Sequence, residues 1–282
     1  MTIGVGGASG QLGKAVLKEL LARAPERKIV AISRTPDTVG AGVEARMGDY
    51  DSPDELVAAY AGLDVLLLIP TSDLRRGKRG AQNIAAVDAA VKAGVKHVVF
   101  MSGAGTREQA EPDIGASYWV GEQRLIQTAP QWTILRMNYY AESLAQEAAQ
   151  SLAMGALTGI AENKVAFVSR DDVAAAAAGI LLGTGHAGAI YNATGSRTYS
   201  GAERAELIAS ITGKPMGFNA IPAEQLRAGL SHVGLPEDVV NVVASIQTHF
   251  AAGAFDIVTG DVEKLSGRPP ADLASVLAAH LG

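Results

Sequence analysis

The stretch TIGVGGASGQLGKAVLKELLAR, residues 2–23, decides the fold. A short apolar run leads into three glycines spaced three apart, Gly7, Gly10 and Gly13. These open a segment that places Val16, Leu17, Leu20 and Leu21 on one helical face. Strand, glycine turn and helix, in that order, build a cradle for a pyrophosphate. Gly7 allows the tight turn, Gly10 lets the backbone come close to phosphate, and Gly13 lets the helix pack on the sheet. The helix start adds unpaired N–H groups and the positive end of its dipole. Ser9, Gln11 and Leu12 lie within this turn and join the three glycines as cofactor-binding candidates. The spacing is G-x-x-G-x-x-G, not G-x-G-x-x-G, and the other reading is a tight strand–helix turn with no ligand.

Working outward, strand and helix patterns keep alternating. KIVAIS, VEARMGD, DVLLLIP, HVVFMSG and WTILRMN read as further strands, with DVLLLIP apolar on both faces as a central parallel strand must be. The helices between them are DSPDELVAAYAG, with Ser52 as N-cap and Pro53 at its first position, GAQNIAAVDAAVKAGV and SYWVGEQRLIQTA. This is an α/β fold, a Rossmann-type doubly wound parallel sheet with right-handed crossovers. After Asn138 the pattern loosens: a helix, the short strand KVAFVS, the helix RDDVAAAAAGILLG and the strand AIYNAT. Helices then dominate to the end, with GFNAIP a short strand among them. The expected division is a nucleotide-binding domain of residues 1–137 and 164–195, and a smaller, mainly helical substrate domain of residues 138–163 and 196–282.

The 282 residues are 48% hydrophobic and 19% charged, enough for a sizeable core. Net charge is −5, and the densest basic cluster, LRRGKRG at 74–80, is short. It reads as a solvated loop or a phosphate contact, and the chain lacks the broad basic face of a nucleic-acid binder. With no cysteine, thiolate nucleophiles, disulfides and Cys-based zinc sites are excluded. His97, His186, His232, His249 and His280 show no metal-ligand spacing, so no metal is expected. A strand already begins at residue 3, and the longest apolar helix, VAAAAAGILLG (173–183), is too short to span a bilayer. The expectation is a cytoplasmic protein, monomer or homodimer, with no nucleic-acid or membrane partner.

Cofactor choice is written at the end of the second strand. It ends IVAISRTP, with Ser33 and Arg34 at the tip and no carboxylate to accept from a ribose 2′-OH. A guanidinium pairs with a 2′-phosphate and stacks on adenine, so NADP(H) is favoured, against an ordinary surface arginine. At the next strand's end stand Asp49 and Tyr50 of GDY, Asp49 read either as an acceptor for the adenine amino group or as part of a turn. Ile69 and Pro70 of IPTS, and Ser102 and Gly103 of SGAG, end the fourth and fifth strands beside the switch point, where they leave room for ribose and nicotinamide.

GASGQLG, Arg34, GDY, HVVFMSG, LRMN and RDDVA, in this order, resemble the NmrA-like group of atypical short-chain dehydrogenases, particularly its NADPH-dependent quinone oxidoreductases and triphenylmethane reductases. The resemblance implies a Rossmann domain, a small C-terminal domain and a substrate cleft over the nicotinamide. Typical short-chain reductases pair a proton-donating tyrosine with a lysine one helical turn on. Here ASYWVGEQRL (116–125) has Tyr118 and, four residues later, Glu122. A carboxylate disfavours tyrosinate, so Tyr118 is not a lysine-assisted acid. The resemblance implies that Glu122 is a feature of the group. Tyr118 is read as a catalytic group, a wall of the cleft or a packed aromatic, and Glu122 as a catalytic group, a structural acceptor or a surface charge. Asn138 is the third catalytic candidate, read as bonding a carbonyl or carboxamide, with Tyr139 and Tyr140 after it to stack on an aromatic ligand; the other reading of all three is ordinary packing.

An acceptor that needs no such acid is one already poor in electrons, such as a quinone or an extended aromatic. The expected activity is hydride transfer from NADPH to such a molecule. The alternative is a non-catalytic NADP(H)-sensing regulator.

Overall fold

The computed structural model describes residues 1–40 and 42–282. The first half is β1 (Thr2–Gly6), α1 (Gln11–Arg23), β2 (Lys28–Ser33), β3 (Glu44–Met47), α2 (Pro53–Tyr60), β4 (Val65–Leu68), α3 (Lys78–Lys92), β5 (His97–Gly103), α4 (Ile114–Thr128) and β6 (Gln131–Met137). The second half is α5 (Ala141–Ser151), β7 (Ala156–Gly159), β8 (Lys164–Val165), α6 (Arg170–Leu182), β9 (Ala189–Ala193), β10 (Tyr199–Ser200), α7 (Gly201–Thr212), β11 (Gly217–Ala220), α8 (Ala223–His232), α9 (Glu237–Ala251), α10 (Asp261–Ser266) and α11 (Leu273–Leu281). Seven strands form one sheet in the order β3-β2-β1-β4-β5-β6-β9, every pair parallel. The doubly wound sheet expected from the alternating pattern is therefore the observed fold, with strand order reversing between β1 and β4.

Successive side chains of a strand feed opposite faces. Val99 and Met101 join Ile3, Val5 and Leu67 in a core with α1, α6 and α10. Val98 and Phe100 join Leu66 and Leu68 on the other face with α2, α3 and α4. Each such fully buried side chain contributes about 1.5–3 kcal/mol. A third core holds Leu144, Phe167, Phe250, Phe255 and Leu277, where Tyr139, Phe250 and Phe255 meet edge to face.

One reading of the chain holds in position, one needs correction, and two short elements escaped the pattern. Ser52 stands at the N-cap and Pro53 follows it, but the Ser52 side chain makes no cap hydrogen bond; Asp54 and Glu55 supply the negative charge at that helix start. KVAFVS is a strand only over Lys164–Val165, because the backbone then turns into the third core and Val168 keeps a single bridge to Tyr140. Neither β7, which pairs with β11, nor α10 was visible as a pattern, since each is six residues or shorter.

Helix α6 is buried almost all round, as its run of alanines requires. It lies between α1 and α10, and a Cβ on Gly179 would collide with the Leu265 carbonyl. In a free helix Gly→Ala is stabilising. Here Gly179→Ala is expected to lower stability by about 1–3 kcal/mol, measured by urea denaturation; a gain would show that α10 does not sit this close.

Candidate active site

Gly7 has φ +73°, the left-handed region, with its backbone against Ile69. The chain then turns so tightly that a Cβ on Gly13 would overlap the Gly7 carbonyl and Ala8. Gly10 donates its N–H to the Gly7 carbonyl at 3.1 Å and forms the N-cap of α1 with no side chain over the helix end. No acidic residue occupies the first turn. The amides of Gln11, Leu12 and Gly13 are the ones a helix leaves without internal partners. A pyrophosphate fits this cradle: donors and a positive dipole end, with a side-chain-free approach at Gly10. Beside it lies a cavity of about 260 Å³ lined by Gln11, Glu142, Arg170 and His280.

Ser9 accepts from the Ser33 hydroxyl at 2.7 Å, tying the glycine turn to the tip of β2. Arg34, next to it, is exposed and makes no hydrogen bond or ion pair among the described residues. Asp49 is half-buried and its carboxylate Oδ1 accepts from the Asp51 amide at 3.0 Å, a turn contact that leaves Oδ2 without a protein partner among the described residues. Tyr50 is buried rather than open to a ligand: its hydroxyl donates to the Ile69 carbonyl at 3.0 Å, and burial pushes it well above the usual tyrosine range. Ile69 and Pro70 are half-buried at the end of β4. Ser102 is buried with its hydroxyl 3.3 Å from that of Thr106. Gly103 gives room to Tyr118, whose ring would lie 3.3 Å from a Cβ there.

Tyr118 thus stands at the carboxyl end of β5, half-buried, with the Arg79 guanidinium 5.7 Å from its ring centre. Tyr140 is near it, its hydroxyl donating to the Met137 sulfur at 2.8 Å and its ring under the Arg170 guanidinium. Burial, with Tyr118 adding to it, keeps the Tyr140 hydroxyl far above the usual range. Glu122, by contrast, is 1% exposed and both its oxygens are taken: Arg136 Nε and Nη2 donate to them at 2.9 and 2.6 Å. It is not a surface charge, and its carboxylate binds α4 to β6. Asn138 is also buried and engaged. Its Nδ2 donates to the Phe255 carbonyl at 3.1 Å, its Oδ1 accepts from the Tyr139 amide at 2.7 Å, and its own amide donates to Ala193. Tyr139 packs among phenylalanines.

Two groups escaped the sequence reading. Arg136 is the partner of Glu122. His249, buried on α9, lies 3.0 Å from Asp113 at the start of α4. Burial works to raise the Asp113 carboxyl, but the bonds from His249 and the Gly115 amide outweigh it and hold it below its usual value. These two are 136 residues apart, and no local pattern links them. A further cavity of about 450 Å³, by Asp64, His97 and His186, opens at the amino ends of the strands. That is the wrong end for a ligand of this fold. Among the described residues no three His, Asp or Glu side chains gather as metal ligands, and no helix is long and apolar enough to cross a membrane.

The fold and the glycine cradle define a dinucleotide-binding α/β protein. Residues 7–183 match the NAD(P)H-binding family, and the chain belongs to it. It is 30% identical to quinone oxidoreductase 2 of Escherichia coli (strain K12) over 99% of this chain and 98% of that protein. The crystal structure of the E. coli NADPH-dependent quinone oxidoreductase with NADPH superposes with a TM-score of 0.92 at 28% identity, covering 99% of this chain and 100% of that one. The Citrobacter sp. triphenylmethane reductase with NADP(H) gives 0.88 at 29% identity, covering both chains completely. The NmrA-like resemblance read from the motifs stands, and the chain is an NAD(P)H-dependent oxidoreductase.

Removing one partner of a buried ion pair strands the other charge. Glu122→Ala is expected to cost about 3 kcal/mol, the lower end for such pairs because Arg136 keeps some solvent. Chemical denaturation reads this directly; a change within about 0.5 kcal/mol would mean the pair holds nothing together.

Proposed function

We propose that this protein transfers hydride from NADPH to a quinone-like or extended aromatic acceptor, without a tyrosine–lysine pair. The observation that carries this reading is the Glu122–Arg136 fork. Where a catalytic lysine would stand one turn after Tyr118, the chain has a carboxylate turned to β6 and neutralised there. No cation stands at that position to assist Tyr118 or hold a ribose. The chemistry therefore suits an acceptor whose reduction is driven by its own electron deficiency. NADPH supplies the hydride; the protein's part is to hold a flat molecule at the ends of β5 and β6, beside Tyr118 and Gly103.

NADPH is favoured over NADH because Arg34 is exposed and unpaired at the tip of β2, where a 2′-phosphate would meet it. The amides of Gln11, Leu12 and Gly13 would hold the pyrophosphate. Ser9, braced by Ser33, would set the approach of the adenosine ribose, and Ile69, Pro70 and Gly103 would border the nicotinamide side. Tyr50 and Ser102 support these positions from within the core. Asn138 serves the same reading as a clamp: it fixes the end of β6 to the Phe255 carbonyl and so sets the cleft's far wall. The division into a nucleotide-binding domain, residues 1–137 and 164–195, and a smaller substrate domain, residues 138–163 and 196–282, belongs to this proposal.

The test is NADPH and NADH oxidation, followed by absorbance, with a panel of quinones, azo compounds and triarylmethane dyes. NADPH should be preferred, and Arg34→Ala should reduce the NADPH-over-NADH ratio by about ten- to a hundredfold, the worth of one hydrogen-bonded charge pair. Tyr118→Phe should retain most of kcat. NADPH binding with no acceptor-dependent oxidation would instead support a sensor, and a loss of kcat of about a thousandfold in Tyr118→Phe would restore the tyrosine as acid.

A further inference from the structure

The cluster LRRGKRG has four cations, and the structure separates their fates. Arg75 pairs with Asp73, and Lys78 with Asp51 at 2.7 Å. Arg76 is exposed to solvent. Arg79 is different. It is half-buried, its Nε is buried with no acceptor, and it makes no ion pair among the described residues. It also stands in the first turn of α3, which has no acidic residue, so the helix dipole opposes its charge. Arg204 also has an unpaired buried Nε, but Glu147 and Glu162 act on its charge. Arg79 faces the Tyr118 ring instead, which engages the guanidinium face and leaves Nε–H unused.

Its position is fixed. Asn83 donates to the Ser117 carbonyl at 2.9 Å, and a Cβ on Gly80 would lie 3.1 Å from Val120. The first turn of α3 is thereby pressed onto the turn of α4 that carries Tyr118, which in turn lies on Gly103 at the end of β5. Half-buried at the edge of this cleft, the Arg79 guanidinium has the Tyr118 ring beside it but no carboxylate among the described residues, and an anionic ligand meeting its exposed part would supply the missing charge.

We infer that Arg79 contacts the acceptor and makes the cleft selective for molecules that become anionic on reduction, quinones above all, over acceptors that start as cations. This rests on the proposed reductase activity. A hydride, one proton with two electrons, passes from the reduced nicotinamide to the quinone, leaving NADP⁺ and a hydroquinone monoanion, which takes a proton from water. The negative charge develops on an oxygen, and a guanidinium already in place stabilises it without rearrangement. A cationic triarylmethane dye loses its charge in the same two-electron step, and Arg79 repels it before the step and gains nothing after it.

The experiment compares wild type, Arg79→Met and Arg79→Lys. Acceptor turnover is measured with 1,4-benzoquinone and with the cationic dye crystal violet, and NADPH binding by fluorescence titration. Independently of turnover, binding of 4-nitrophenolate, an aromatic oxyanion, is measured with NADP⁺ present. Arg79→Met should lower kcat/KM for the quinone about a hundredfold and leave the dye unchanged or improved. NADPH affinity should be unaltered, and 4-nitrophenolate should bind at least about tenfold more weakly. Arg79→Lys should recover part of both, since it keeps the charge and loses the fork. Equal effects on quinone and dye, or none on either, would overturn the inference. So would weakened NADPH binding with unchanged acceptor selectivity, which would assign the guanidinium to a cofactor phosphate. If wild type turns over neither acceptor, the reductase reading fails by itself, and the 4-nitrophenolate comparison still decides whether Arg79 receives an aromatic oxyanion.

Discussion

The carbonyl oxygen of Gly7 lies so close to the first turn of α1 that residue 13 has no room for a side chain. That contact sets how α1 meets the sheet. It brings the unpaired amides of the first turn to the end of β1, next to the point where strand order reverses. A methyl group at residue 13 would push the helix outward and move those donors away from the end of β1. The packing of α6 follows from the same placement, because α6 lies against α1 and needs its alanines and Gly179 to fit between α1 and α10.

Close approach through small residues recurs at the cleft. Gly103 admits the Tyr118 ring at the end of β5, and Gly80 lets α3 press on α4. What holds α4 itself is electrostatic. The Glu122–Arg136 fork joins its middle to β6, and the Asp113–His249 pair joins its start to α9. The helix that a short-chain reductase would use to present a tyrosine and a lysine is here tied to β6 and α3 by the Glu122–Arg136 and Arg124–Asp88 ion pairs and to α9 by the Asp113–His249 contact. Its only phenol faces an arginine from a neighbouring helix rather than a lysine from its own.

Such an arrangement moves the positive charge of the site from α4 to α3. A lysine one turn from the tyrosine would act on the phenol and on a ribose together. An arginine across the gap, with a donor left over, acts on whatever lies between the two helices. In the proposed reaction the charged groups of the cleft are arranged around the acceptor's charge, and the phenol supplies no proton.

Much of this was legible in the sequence because it is local. The strand–glycine–helix order of residues 2–23, the all-apolar β4 and the period of each helix need only neighbouring residues to be read, and each fixes a backbone conformation directly. The positive φ of Gly7 and the lack of a carboxylate after β2 are of the same kind. Hydrogen-bond partners are not local. That Asn138 and Tyr50 spend their polar atoms on the Phe255 and Ile69 carbonyls, that Glu122 is bound by Arg136, and that Arg79 is half-buried beside Tyr118 with its Nε unsatisfied all depend on which elements pack together. The sequence by itself determined a nucleotide-binding parallel sheet, since backbone geometry follows from side-chain size and period. Only the tertiary structure decided which polar groups remain unspent, since a hydrogen bond or ion pair is satisfied by distance in space and not by spacing along the chain.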